Sequence, residues 1–596
     1  TLKSRTMKKR TTCCIVLAAL LWNVTFLQAQ TVQEGMSHLY GGRIKNAIET
    51  FEKILAANPN SIEAHYWLGQ SKLETDQIMS SRIAEARQVY DKALQATNGA
   101  PLIRVGLGHV DLLSGKVDDA RQHFETALTT TRTRKGNDPG IATAIGRAIT
   151  DAKGADYKYA VRLLEEATTL DPKNTEALLQ LGNAHRKAGE GQGGGSAFQA
   201  YNKALEVNPS FAAASFRLAK LFESQRNWEL FLNYLNDAVK KDPKFTLAYY
   251  ELFYYYFYRS KFTEAEEQLN QYIASKMPDT DVQDQFLYAQ LCWAKKDFNC
   301  ATTKAESVVS ALGALTKPKV YRLLADAYYN HGDLAQAKKY SDLFFLKKNP
   351  DDYTSYDHKL RADILSKTDG TPDEVASNYM LGAQLDTLLS SKIDFLKQGA
   401  EFFKARGDSI SRIKEGDLRL EILKMRGANA GQRELFDAGF AYYQGKHYEK
   451  ADSIFDVYSA RFPDEVYGPM MQYNIHRARD TSMEKGAAVP WAERYLVILE
   501  KDTTKNKKNI IGVSSYLASY YANVAKDRDK ALVYLRKMLA LDPSNTVIQQ
   551  NISILEKVQA PGTTPPSPKP GQAPARSGKP AAKGKSVLRP PLRAAT

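Results

Sequence analysis

The side chains that could do chemistry in this sequence are few, and their spacing argues against catalysis. Nine histidines are scattered over 596 residues, and no two stand in the H-E-x-x-H spacing that holds zinc. There is no G-x-x-x-x-G-K-[ST] loop to wrap phosphates and no G-x-S-x-G elbow to present a nucleophile. Gly189, Gly191 and Gly194 in "GEGQGGG" satisfy G-x-G-x-x-G literally. A dinucleotide site needs a strand before that loop, whereas the pattern before Gly189 is helical, so the run reads as a linker. Beyond the N-terminal segment only Cys292 and Cys300 remain, too few for a zinc site. The expectation is a protein with no enzymatic activity, no cofactor and no metal.

What stands out instead is aromatic. "LAYYELFYYYFYRSKF", residues 247–262, packs nine rings into sixteen residues, more than one helix face can bury. The element that positions them decides their use.

The formal charge of +15 suggests nucleic acid until it is located. Five cations lie in residues 1–10 and seven after residue 559, with no acid in either stretch, which leaves about +3 for the body. A phosphate-tracking surface is not expected. "MKKRTTCCIVLAALLWNVTFLQA" has a basic start, an apolar run and Ala29 at a cleavable position, the pattern of a secretory signal. Residues 1–29 are therefore expected to be a signal peptide, with the natural start at Met7; an uncleaved anchor is the alternative. Cys13 to Leu27 is short for a membrane span and is interrupted by Asn23 and Thr25. No span is expected in the mature chain.

The body is periodic. Ala47/Pro59, Ala160/Pro172, Ala197/Pro209, Ala451/Pro463 and Ala531/Pro543 share one interval, and Phe51, Leu164, Tyr201, Phe455 and Leu535 follow their alanines by four. Spacings of three and four mark one helix face, and the proline ends that helix. Upstream, pairs such as Leu68-Gly69, Leu107-Gly108, Leu181-Gly182 and Leu324-Ala325 mark a second helix whose small residue admits a close neighbour. The unit is a helix–turn–helix of about 34 residues.

These residues resemble the tetratricopeptide repeat, with its W-x2-L-G-x2-Y, A-x3-F and P pattern. The resemblance implies an all-α fold, a right-handed superhelical solenoid of stacked hairpins. It divides the chain into a repeat array over 30–352, a degenerate stretch or hinge over 353–431, and a second array with a capping helix over 432–559. The proline-rich basic tail, 560–596, lacks the composition for a core and reads as disordered. Cys292 and Cys300 fall on the two helices of one repeat, where they either form a disulfide or pack as two buried thiols.

The family's buried stripe maps onto Tyr249, Leu252, Phe253 and Tyr256. Tyr250, Tyr254 and Phe257, with Tyr258 beside them, form a second stripe that in the family lines the concave groove. The corresponding residues farther on are Phe286, Gln290 and Trp293, then Arg322, Asp326 and Tyr329. The resemblance thus implies a protein–protein interaction scaffold, placed in the periplasm or at the outer membrane, that binds envelope proteins or peptides in this groove. The other reading is a soluble receptor for a peptide or glycan stacked on the same rings. The tail could add a weak contact with anionic envelope surfaces.

Overall fold

The structure is a computed structural model and describes residues 32–75, 77–189, 193–277 and 280–557. The signal segment 1–29, Gly191 and the tail 560–596 lie outside the described residues.

The alanine–proline interval is the length of one buried helix. Ala47, Ala160, Ala197, Ala451 and Ala531 are all fully buried, and so are Phe51, Leu164, Tyr201 and Phe455 one turn later. On the facing helix the small residue gives such a ring its seat. A Cβ on Gly69 would stand 2.2 Å from the Tyr90 ring, and one on Gly182 2.3 Å from the Tyr201 ring. The proline ends the helix by driving the residue before it out of the α region. Asn58, Asp171 and Asn208 accordingly have ψ of 88°, 84° and 92°. A cap often starts the next helix: Asn174 accepts from the Ala177 amide at 2.9 Å, satisfying a donor the helix cannot use internally.

The chain divides into two compact units, Thr1–Ala327 and Tyr328–Thr596. Unit 1 opens with α1 (32–40) and α2 (Ile44–Ala57). Next come α3 (Ile62–Leu73) with α4 (Met79–Ala96), α5 (Pro101–Leu113) with α6 (Val117–Thr131), and α7 (Pro139–Asp151) with α8 (Tyr157–Leu170). The hairpins α9 (Thr175–Ala188)/α10 (Gly194–Val207) and α11 (Ala212–Ser224)/α12 (Trp228–Lys241) follow. The last two in the unit are α13 (Thr246–Phe257)/α14 (Phe262–Lys276) and α15 (Asp284–Ala294)/α16 (Phe298–Leu312). Helix α17 (Pro318–His331) runs across the division.

Unit 2 continues with α18 (Leu334–Lys347), α19 (Ser355–Lys367), α20 (Pro372–Leu385), α21 (Leu389–Arg406) and α22 (Ser409–Arg426). Helices α19 and α20 pack together, as do α21 and α22. The unit ends with α23 (Gln432–Gln444)/α24 (Tyr448–Arg461), α25 (Tyr467–Arg479)/α26 (Val489–Leu499), α27 (Thr503–Asn523)/α28 (Arg528–Leu541) and the single α29 (Thr546–Lys557). Among the described residues there is no strand, and no helix is long and apolar enough to cross a membrane. The fold is an all-α solenoid of stacked helix pairs, as the register predicts.

Candidate functional site

In α13 the expected core stripe is half right. Leu252 and Phe253 are buried, while Tyr249 and Tyr256 are only half-buried against the neighbouring core. The second stripe is not a free wall. Tyr250, Tyr254 and Phe257 pack on a cluster built from Phe253, Ala265, Leu269, Leu287 and Leu291. Tyr250 meets Tyr254 edge-on, with ring centres 4.9 Å apart at 71°, and contacts Tyr272 of α14 at 5.6 Å. The Tyr254 hydroxyl donates to Gln290 of α15 at 3.1 Å, and burial pushes its pKa well up. These rings therefore join one hairpin to the next. Tyr258, at 76% exposure, is the open member.

The remaining residues of the stripe divide by burial. Phe286 and Asp326 are each 4% exposed, so they act as walls, whereas Arg322 is exposed. Lys319 lies 4.7 Å above the Phe286 ring. Trp293 is half-buried, and its Nε1 is fully covered without a hydrogen-bond partner. Tyr329 belongs to unit 2, where the Lys367 ammonium lies 4.4 Å from its ring. The stripe is thus not one continuous surface within unit 1. Beside Trp293, Cys292 and Cys300 are joined in a disulfide with Cα atoms 5.7 Å apart. Asp297 between them caps α16 by accepting from the Cys300 amide at 3.0 Å.

Two cavities open in unit 1, and the first hairpin walls both. One of about 620 Å³ is lined by Ile44, Lys45 and Lys72 together with Tyr250, Tyr272 and Phe286. Asp284 sits in its wall, accepting from Lys276 at 2.8 Å and from the Asp281 amide at 2.9 Å. The other, about 470 Å³, is lined by Val32, Met36, Trp67, Leu102, Arg147 and Glu176.

Between them the turn after α1 reaches across the unit. The Tyr40 hydroxyl bonds to Glu176 and to Arg147, and Arg147 pairs with Glu176. The Arg147 guanidinium lies 4.2 Å from the centre of the Trp67 ring. Tyr40 meets Phe211 edge-on at 6.1 Å, and Arg43 approaches Asp242 at 3.5 Å. The Leu247 amide donates to the Gly41 carbonyl at 3.4 Å. Gly42, at φ +83°, is required there, because a Cβ would stand 2.7 Å from Leu247. Residues 40–43 are a strap over α7, α9 and α13.

The strap's groups are fixed donors and acceptors. Burial pushes the Tyr40 and Tyr66 hydroxyls up to about 12, so both remain protonated at neutral pH. Burial works against the Arg147 charge, but Tyr40, Tyr66 and Asp151 outweigh it and raise its pKa. His109 lies 3.3 Å from Gln70 through Nδ1, its covered Nε2 makes no hydrogen bond and stands 3.9 Å from the Asp151 carboxylate, and burial lowers its pKa despite that carboxylate.

Sequence reading missed this cluster although the signal was there. In each first helix the residue after the small member of the pair takes one register position. That rule gives Gln290 and Asp326, and equally Gln70, His109 and Arg147.

Residues 32–101 and 196–244 match the model of the tetratricopeptide repeat. The chain is 28% identical over 192 residues to the protein CTR9 homolog of Arabidopsis thaliana, spanning 32% of this chain and 14% of that one. It is 24% identical over 210 residues to tetratricopeptide repeat protein 6 of Homo sapiens, spanning 35% and 38%. The chain thus spans well under two thirds of either relative. Among solved structures it is similar to the C-terminal part of a TPR repeat-containing protein from Cytophaga hutchinsonii, at 23% identity, 44% and 98% coverage and a TM-score of 0.24. A tetratricopeptide repeat protein from Parabacteroides merdae is similar at 19% identity, 44% and 97% coverage and a TM-score of 0.34. With its alanine–proline register, its paired helices and this family match, the chain contains tetratricopeptide repeats.

Proposed function

We propose that this chain is a non-catalytic scaffold of the cell envelope, exported by residues 1–29, that grips partner proteins or peptides on the odd-numbered helices of unit 1. Tetratricopeptide repeats generally serve protein–protein interaction. The observation that carries the reading is the 620 Å³ cavity beside Tyr250 and Phe286. Rings form its wall, and lysines and carboxylates from separate helices converge on it. Aromatic area with a few fixed polar groups suits a peptide segment, because it buries much surface while freezing few rotors. Tyr258, Trp293, Gln290 and Arg322 extend the contact along the chain. The rings of Tyr254 and Phe257 support it from beneath, and Asp326 holds its end. The basic tail adds a weak attraction to anionic envelope surfaces.

The test is affinity capture from envelope extract by the full chain and by a Tyr250→Ala/Tyr258→Ala variant, with circular dichroism on both. A protein held by the parent and lost by a folded variant is the expected result. Equal capture overturns the site. Cell fractionation with and without residues 1–29 tests the export.

A further inference from the structure

The smaller cavity of unit 1, about 470 Å³, has no part in the grip proposed for the larger one. Its size falls in the range of small-ligand pockets, about 300–1,000 Å³. Its walls are apolar and aromatic: Val32 and Met36 of α1, Trp67 of α3, Leu102 of α5 and Ile141 of α7. Its charge comes from three carboxylates, Glu63, Asp138 and Glu176, and one cation, Arg147. The larger cavity has the opposite balance, with five lysines against four carboxylates.

Two buried polar groups in these walls keep unspent hydrogen-bonding capacity. Arg147 is 6% exposed, and only its Nη2 meets acceptors, the Tyr40 hydroxyl and Glu176. Its Nε and Nη1 donate to nothing among the described residues, although a guanidinium carries five N–H donors. Tyr66 is 3% exposed, and its hydroxyl likewise has no partner among the described residues. None of these atoms is sealed off, so each opens on space that a ligand can reach. The acceptors sit on other helices. Asp138 caps α7, its Oδ1 accepting from the Ile141 amide at 2.9 Å, which leaves Oδ2. Glu63, in the first turn of α3, is exposed and makes no hydrogen bond or ion pair among the described residues.

We infer that this cavity holds the free amino terminus of a peptide whose first residue is apolar. The α-ammonium donates to the Glu63 and Asp138 carboxylates, and both bonds are charge-assisted. The carbonyl oxygen of the same residue accepts from Arg147 or Tyr66. Its side chain packs on Met36, Leu102 and Ile141. An amino terminus carries the cation, the acceptor and the apolar group on one residue, so it meets every wall at once. A lysine side chain does not. Its long flexible stem holds the ammonium away from any carbonyl and leaves Arg147 without an acceptor. Three carboxylates against one guanidinium also repel an anionic ligand.

Isothermal titration calorimetry of the full chain with amidated Leu-Ala-Ala tests this, since that tripeptide has an amine and no carboxylate. The expected result is saturable binding that weakens at least about tenfold when the amine is acetylated. Glu63→Gln/Asp138→Asn should weaken the free-amine peptide by about tenfold as well. Asparagine still caps α7, and circular dichroism checks the fold. Tyr250→Ala/Tyr258→Ala, which alters the larger cavity, should bind the tripeptide as the parent does, so the two sites fail separately. Equal affinity for the free and acetylated tripeptides overturns the proposal, and so does absence of binding. An acetylated peptide with an internal lysine that binds as tightly as the free amine also overturns it, because the cavity would then take a side chain.

Discussion

In α13 the register positions carry Tyr250, Tyr254 and Phe257; in α23 they carry Phe436, Phe440 and Tyr443. The first set meets edge-on at 71° and 76° and hydrogen-bonds across to Gln290. The second set lies offset and nearly parallel. The cause is in the neighbours. Helix α13 is followed by α14 and α15, which offer Tyr272, Leu287 and Leu291 as a bed for its rings. The α23 rings also pack on a buried cluster, with Phe436 edge-on to Phe455 at 5.9 Å, but they run beside one another toward Tyr448 and Tyr467. Both sets pack on the buried core of their unit, and the neighbouring helices decide whether the rings meet edge-on or lie nearly parallel.

The comparison can be broken at its core first. Phe253 is fully buried, and Phe253→Ala should cost about 3–5 kcal/mol in denaturant unfolding of unit 1, whereas Val533→Ala at an exposed site of unit 2 should shift nothing beyond ~0.5 kcal/mol. Next is the strap. Arg147→Met leaves Glu176 without its cation in a covered site and should cost about 3 kcal/mol. Hydrogen exchange should then quicken at residues 32–40 and stay unchanged in α23. Reducing Cys292–Cys300 reopens a loop of eight residues and should cost about 2–3 kcal/mol on the chain-entropy account. The readout is a lower thermal midpoint for unit 1 in reductant, absent in Cys292→Ser/Cys300→Ser.

The smallest effect is in pH. Burial holds His109 below its ordinary value of 6.5, so the unfolded chain takes up a proton that the folded chain resists. Its contribution is whole above pH 6.5 and is lost as pH falls through the folded value. At the other limit Tyr40, ordinarily at 10.0 and pushed up to about 12 by burial, loses its contribution as pH rises between those values. His109→Gln should flatten the acid limb and Tyr40→Phe the alkaline one, each followed by unfolding midpoint against pH.

Much of the fold was readable because alanine at one position and proline twelve later follow directly from helix packing and helix termination. Ala47, Ala160 and Ala451 are buried for that reason. The second stripe of α13 was readable as a helix face, but its burial was not, because that depends on Tyr272 and Leu291 from later helices. The strap was illegible for a related reason. Tyr40 and Glu176 stand 136 residues apart, and only the winding of unit 1 brings them together. Arg147 could have been found, since it follows Gly146 as Gln290 follows Ala289.

The central claim is that equivalent positions are tied to the next hairpin by a hydrogen bond in α13 and by ring contacts alone in α23. The direct test is hydrogen exchange resolved by segment in Tyr254→Ala and Phe440→Ala full chains. The account predicts that Tyr254→Ala destabilises α13–α15 by about 2 kcal/mol, while Phe440→Ala changes α23–α24 by at most ~1 kcal/mol. Equal losses in the two segments, or a larger loss at α23, would contradict it.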